Sequence, residues 1–212
     1  MEKKIKAVPL SAELLYPIPY QQAMDIVEFA GRTCYQSHDI ASSDKQIPFI
    51  RGLIKRGHES VLEHVNISMV VKIDRGILAE WTRHRIGSAY SVSSTRYINY
   101  AKKPMEYIMP SYSKGAPEGL FWSLIESSLQ GYIELVEMCG QEPQIARAVL
   151  PQAFAVDMVV THNIRQWRHV LKERLVNKSA HPDIRKVMRL CYQKLIDMYP
   201  VFFEDIVVEE ED

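Results

Sequence analysis

The chain of 212 residues has no excess of either charge: 26 lysines and arginines face 26 aspartates and glutamates, and the isoelectric point is about 7.1. That balance excludes a global attraction to nucleic acid or anionic lipid, so any anion site must be built locally. Cysteine is scarce. Cys34, Cys139 and Cys191 are odd in number, far apart and without C-x-x-C spacing, which excludes a disulfide framework and a thiolate zinc site. HESVLEH lacks the H-E-x-x-H spacing that sets two imidazoles on one helical turn, so no metal is expected. Long hydrophobic runs are missing too. The amino terminus MEKKIKAVPLSAELLYPIPY starts with lysines but is broken by Glu13 and three prolines, leaving no signal peptide or membrane span. The expectation is a soluble, cytoplasmic protein in a reducing compartment, with no internal repeat and no low-complexity linker.

Hydrophobic periodicity organises the rest. QQAMDIVEFAGRTC, near 20–33, has helical spacing, and Ser43 followed by Asp44 caps a second helix running to about Gly57. In HVNISMVVKI the period changes: Val65, Ile67, Met69 and Val71 alternate as in a strand with one buried face. A short helix over about 75–83 follows, then extended YINY and MEYIMP, with Pro104 and Pro110 marking turns. A long amphipathic helix over about 118–138 stops at Gly140, ARAVLP is a short helix or turn, and FAVDMVVT is a second core strand. Helices near 163–174 and 182–199 precede a solvated, flexible acidic tail at 208–212. The fold class read from this order is α+β (mixed α/β): one domain over 1–212, its central antiparallel or mixed sheet flanked by helices.

Against the neutral background, TRHRIGSAYSVSSTRYINY at 82–100 holds four arginines or histidines, six serines or threonines and three tyrosines. An isolated R-H-R is more often a solvated helix end than a site. Here it is followed by Ser91, Ser93, Ser94 and Thr95 beside Arg96. Guanidinium forks suit phosphate, and a turn of short hydroxyl residues can aim several N–H groups at one anion. Two anion sites describe this stretch better than one basic loop.

Arg83-His84-Arg85, a spacer of eight residues, then Ser94-Thr95-Arg96-Tyr97 resemble the signature of the flavin-dependent thymidylate synthases. AGRTCY at 30–35, GHESVLEH at 57–64, ARAVLP at 146–151 and THNIRQWRHVLKER at 161–174 are similar to four further blocks of that family, in order. The resemblance implies methylation of dUMP to dTMP, with methylenetetrahydrofolate as one-carbon donor, reduced FAD as hydride donor, NADPH as its reductant, and homotetramers whose active sites are shared between chains. It assigns Glu80, Arg83, Ser93, Ser94, Thr95, Arg96, Arg147 and Arg174 to dUMP, with Arg174 catalytic beside the pyrimidine. It assigns Ser60, Arg83, His84, Arg85, Val92, Asn163, Ile164, Arg165 and His169 to FAD, and brings Glu63 near the same pocket. Val92 stands where the family more often has Gln or Glu, so a contact there runs through backbone. NKSAHPDIR departs from the usual pattern through Pro182 and Asp183.

Three expectations bear on the structure. At about 100° per residue, Asn163, Trp167, Val170 and Arg174 share one helical face while Arg165 and His169 share the opposite one. Cys34 and Cys191 sit in apolar helical patterns and read as core residues, and no cysteine has the electropositive setting that a nucleophile attacking C6 of uracil would need. Tyr90, Tyr97 and Tyr100 read as structural. Two other functions stay open: a dUMP hydroxymethylase on the same scaffold, and a non-catalytic nucleotide- or RNA-binding module.

Overall fold

The computed structural model describes residues 5–34, 36–40, 43–110 and 118–209. Six strands and eight α-helices alternate among them in the order β1 (Ile5–Ala7), β2 (Ser11–Leu15), α1 (Tyr20–Thr33), α2 (Ser43–Lys55), β3 (Asn66–Asp74), α3 (Arg75–Trp81), β4 (Ser88–Val92), β5 (Met105–Tyr107), α4 (Glu118–Glu137), α5 (Pro143–Ala146), β6 (Ala155–Asn163), α6 (Ile164–Leu171), α7 (Pro182–Met198) and α8 (Pro200–Phe203). The class is mixed α/β. No described helix is long and apolar enough to cross a membrane.

A four-stranded sheet has the order β2-β3-β6-β4, and a separate pair joins β1 and β5 in parallel, Ile5 opposite Met105. In the larger sheet, the Ile164 N–H donates to the Val65 carbonyl and the Ser68 and Thr161 hydroxyls meet at 2.7 Å, so β3 and β6 are antiparallel. Asn163 N–H to the Gly87 carbonyl and Ser93 N–H to the Asp157 carbonyl make β6 antiparallel to β4 as well. Ile67, Met69, Val71 and Ile73 on β3, and Val156, Met158 and Val160 on β6, point alternately into the core.

The chain divides into two compact units, Met1–Ser11 with Val71–Arg83 and Ser91–Met158, and Ala12–Val70 with His84–Tyr90 and Val159–Asp212. In the first, α3 starts at Asp74, whose carboxylate accepts the Ile77 N–H at 2.7 Å. Lys72 bridges Glu106 and Asp157 at 2.7 and 2.8 Å. Burial raises the Glu106 pKa, but bonds from Lys72 and Lys6 outweigh it and hold the carboxyl below its ordinary range. The long helix α4 buries Ile125, Leu129 and Tyr132, with Tyr107 against Trp122 at 5.1 Å.

In the second unit, α1 buries Ala23, Met24, Val27 and Gly31 at helical spacing. A Cβ on Gly31 would come within 3.0 Å of Leu53 and Phe49, so the crossing with α2 needs a small residue there. Trp167 on α6 is fully buried and its indole N–H donates to the Ile67 carbonyl at 2.9 Å. Helix α7 buries Ile184, Val187, Met188, Cys191 and Leu195. Arg168, its side chain 2% exposed, is satisfied by both carboxylate oxygens of Asp205, by the Phe202 carbonyl and by Glu59.

Several sequence expectations need correction. YINY is not extended: 95–97 form a turn and Tyr100–Lys102 a 3₁₀ turn, held where the Asn99 side chain accepts the Ala101 N–H. Cys34 is exposed rather than core, because α1 ends at Thr33 and the apolar face stops with it. Cys191 is buried as expected, and burial pushes its thiol pKa up. Tyr35 of AGRTCY and the tail residues 210–212 lie outside the described residues; within the expected tail, Glu209 pairs with Lys178 at 2.6 Å. Strands β1, β2 and β4 and helix α8 were not anticipated.

Candidate active site

Site chemistry in the second unit is organised by the start of α6. Asn163 ends β6 and caps α6: its Oδ1 accepts the Gln166 N–H at 2.8 Å while its own N–H donates to Gly87. Gly87 has φ +61°, and a Cβ there would lie 2.3 Å from Asn163 Nδ2, so only glycine lets the R-H-R segment pass this close. Asn163 is buried and Ile164 is fully buried with its N–H spent on Val65. The side chains of both therefore serve the scaffold here.

Beyond Leu171 the helix widens into a π turn, Lys172–Val176, where the Asn177 N–H reaches the Lys172 carbonyl. Arg174 is half-buried in this turn, whereas Trp167 and Val170 are fully buried. Arg174 Nε donates to His84 Nε2 at 2.9 Å, and the His84 ring lies edge to face with His169 at 5.5 Å. Arg174, His84 and His169, from two stretches of the sequence, thus share one cluster. Because an arginine N–H needs a lone pair to accept it, the His84 ring carries its proton on Nδ1. Tyr90 donates to the His84 carbonyl and sets its ring edge-on to His162 at 5.6 Å. Burial, the largest cause, lowers the His162 pKa to about 3, so that ring is neutral.

Arg165 and His169 are both exposed, as their spacing predicts, but they do different things. Arg165 reaches Glu63 on the 3₁₀ turn Glu59–His64 at 2.5 Å, with Glu59 at 4.0 Å. Ser60 and Arg165 line a cleft of about 420 Å³ together with Cys34, Leu53, Gly57, His58 and Val61. Cys34 and His58 were missed as lining residues. Gly57, the left-handed stop of α2 at φ +72°, was the signal: it turns the chain so that His58 and Glu59 face the end of α1.

In the first unit, the serine-rich stretch folds on itself. The Ser94 hydroxyl accepts the N–H groups of both Arg96 and Tyr97, at 3.1 and 3.3 Å, and the Ser93 hydroxyl accepts the Asp157 N–H at 3.2 Å. Thr95 is buried, with Arg75 at 3.5 Å from its hydroxyl. These hydroxyls shape the turn that presents Arg96. Arg96 Nε donates to Gln144 Oε1 at 3.0 Å; Gln144 is on α5, which leads directly into the turn Arg147–Val149, so Arg96 is tied to the segment that carries Arg147. Glu80 is on α3, half-buried, and Val92 ends β4 with its side chain exposed. Arg83, Arg85 and Arg147 are exposed and make no ion pair with any described residue.

A family model described as thymidylate synthase complementing protein matches residues 18–201. A flavin-dependent thymidylate synthase from Mycobacterium sp. strain JLS is 34% identical over 206 residues, covering 86% of this chain and 80% of its own. One from Corynebacterium glutamicum is 31% identical and covers 93% and 85%. Among solved structures, thymidylate synthase X from Helicobacter pylori, with FAD and dUMP, has a TM-score of 0.76 at 24% identity over 92% of this chain and 98% of its own. A UMP/dUMP methylase from Streptomyces cacaoi bound with 5-Br dUMP has 0.77 at 21% identity over 94% and 95%; at these identities the two structures speak for the fold. By the family match and the two curated relatives, this chain belongs to the flavin-dependent thymidylate synthases, a family of methyltransferases.

Proposed function

We propose that this protein methylates dUMP to dTMP with methylenetetrahydrofolate as one-carbon donor, in a homotetramer whose active sites draw on more than one chain. The observation that carries the reading is that separated sequence blocks resolve into two cationic groups, Arg96 with the Arg147 segment and Arg174 with His84 and His169. FAD would be held by His84, Arg85, His169 and the cleft of Ser60 and Arg165. That lining fits part of a dinucleotide, since it joins an apolar floor of Leu53 and Val61 to a hydroxyl, an imidazole and a guanidinium. When bound and reduced by NADPH, FAD supplies the hydride.

The protein's own residues account for binding and activation. Arg96 and Arg147 offer fixed charges to the dUMP phosphate, with the Ser94 turn holding Arg96 in place. C5 of uracil is a poor nucleophile, and its activation puts negative charge on the ring carbonyls and N3. Arg174, pinned by His84, meets that charge without reorganising, and one such donor lowers a barrier by about 2.7–4 kcal/mol. The pairing of Arg165 with Glu63 keeps a second cation at the cleft rim.

The test is the visible spectrum of the purified protein together with the mass of the product. A yellow protein that NADPH bleaches and that yields dTMP supports the reading. A product heavier by one oxygen identifies a hydroxymethylase, and a colourless protein that takes up no FAD and binds RNA tightly identifies a binding module.

A further inference from the structure

We infer that Tyr90 is a positioning residue for Arg174, acting through His84. The inference rests on the catalytic reading of Arg174 above, and Tyr90 belongs to neither group of binding residues assigned there. Four contacts make the connection. Arg174 Nε is held by the His84 ring. The backbone of His84 is held by the Tyr90 hydroxyl, which donates to its carbonyl. The Tyr90 ring is held in turn, because its edge meets His162 at 5.6 Å and His162 meets Trp167 at 4.7 Å, interplanar angles 83° and 78°.

The root of this chain of contacts is rigid. Trp167 has no exposed surface, and its indole N–H is bonded to Ile67 in β3. His162 is fully buried on β6. By contrast, the segment that bears His84 is exposed on both sides: Arg83, Arg85, Ile86 and Gly87 are all exposed. Gly87 ties the far end of that segment to Asn163 through its carbonyl. Tyr90 ties the near end, as a side-chain tether from a buried aromatic stack to the carbonyl of the residue that aims the guanidinium. A displacement of about 1 Å in a catalytic group can cost up to a hundredfold in rate, so a tether of this kind bears on turnover before it bears on binding.

The experiment uses Tyr90→Phe, which keeps the ring and its edge contact with His162 and removes the hydroxyl, with its bonds to the His84 carbonyl and to Ser88. In protein labelled with ¹⁵N-arginine, the Arg174 Nε–H resonance, assigned by its loss in Arg174→Lys, is expected to be protected from solvent exchange. Tyr90→Phe should speed that exchange at least tenfold, and Trp167→Phe, which cuts the connection at its root, should do the same more weakly. In turnover, Tyr90→Phe should lower kcat about tenfold with KM for dUMP within twofold, and should lower it no further when Arg174 is already alanine. Unchanged exchange, or an equal loss of kcat in both backgrounds, overturns the inference. If the wild-type protein makes no dTMP, the catalytic reading fails while the exchange measurement still decides whether Tyr90 positions Arg174.

Discussion

Replacing Gly87 with alanine should destabilise the protein through one identifiable neighbour. At φ +61° a side chain costs about 1–2 kcal/mol in backbone strain. The added Cβ would sit 2.3 Å from Asn163 Nδ2 and 2.9 Å from its Cγ, so the amide must swing away and give up the cap on Gln166. That cap is worth about 1 kcal/mol. Gly87→Ala should therefore cost about 2–3 kcal/mol, which for a chain of this size lowers the thermal midpoint by roughly 5–10 °C. Asn163→Ala alone should cost about 1 kcal/mol. In the double variant the clash is gone, so Gly87→Ala should add only its backbone strain, and the two effects should fall short of additivity by about 1 kcal/mol. Calorimetry on the three variants reads this directly. A Gly87→Ala variant with an unchanged midpoint, or strict additivity, would refute the account of how the R-H-R segment is joined to α6.

Other outcomes test other parts of the site. His162 has a folded pKa of about 3, below its unfolded value near 6.5, so the unfolded chain takes up its proton first. Stability should hold above about pH 6.5 and fall toward pH 3 by up to about 1.4 kcal/mol per unit; urea titrations should show His162→Phe flattening that slope, and an unchanged slope would remove His162 from the account. Arg96→Ala should weaken dUMP binding at least tenfold in calorimetric titration while leaving flavin affinity within twofold; equal losses of both would undo the division into two anion groups. Cys34 and Cys139 are exposed and Cys191 is buried, so a maleimide should label the first two. Since Cys34 lines the cleft with Ser60 and Arg165, added FAD should slow labelling of Cys34 and not of Cys139, as read by peptide mass.

What the sequence made legible was whatever repeats with a period or stands in a long motif. Strands β3 and β6 show alternate burial along their length, and α4 and α7 fall within a residue or two of where their apolar spacing put them. The basic cluster was recognised, but β4 inside it was not, because SAYSV carries little apolar contrast and is paired through Gly87 and Ser93 at its ends. YINY has the aromatic and β-branched residues of a strand, yet the side-chain bonds of Ser94 and Asn99 to nearby N–H groups favour turns there. The π turn at Lys172–Val176 was not anticipated, because an extra residue in a helical turn leaves no side-chain period of its own in the sequence. Asn163 and Ser94 were expected at the flavin and the nucleotide; in the structure their hydrogen bonds form a cap and a turn.

The most direct measurement is single-turnover dTMP formation by Arg174→Ala protein loaded with FAD. The variant should keep its flavin spectrum and its affinity for FAD, while dTMP formation slows by about a hundredfold to a thousandfold, as expected for losing one preorganised donor. Formation of dTMP at the wild-type rate would contradict the placement of Arg174 as the charge that activates the pyrimidine.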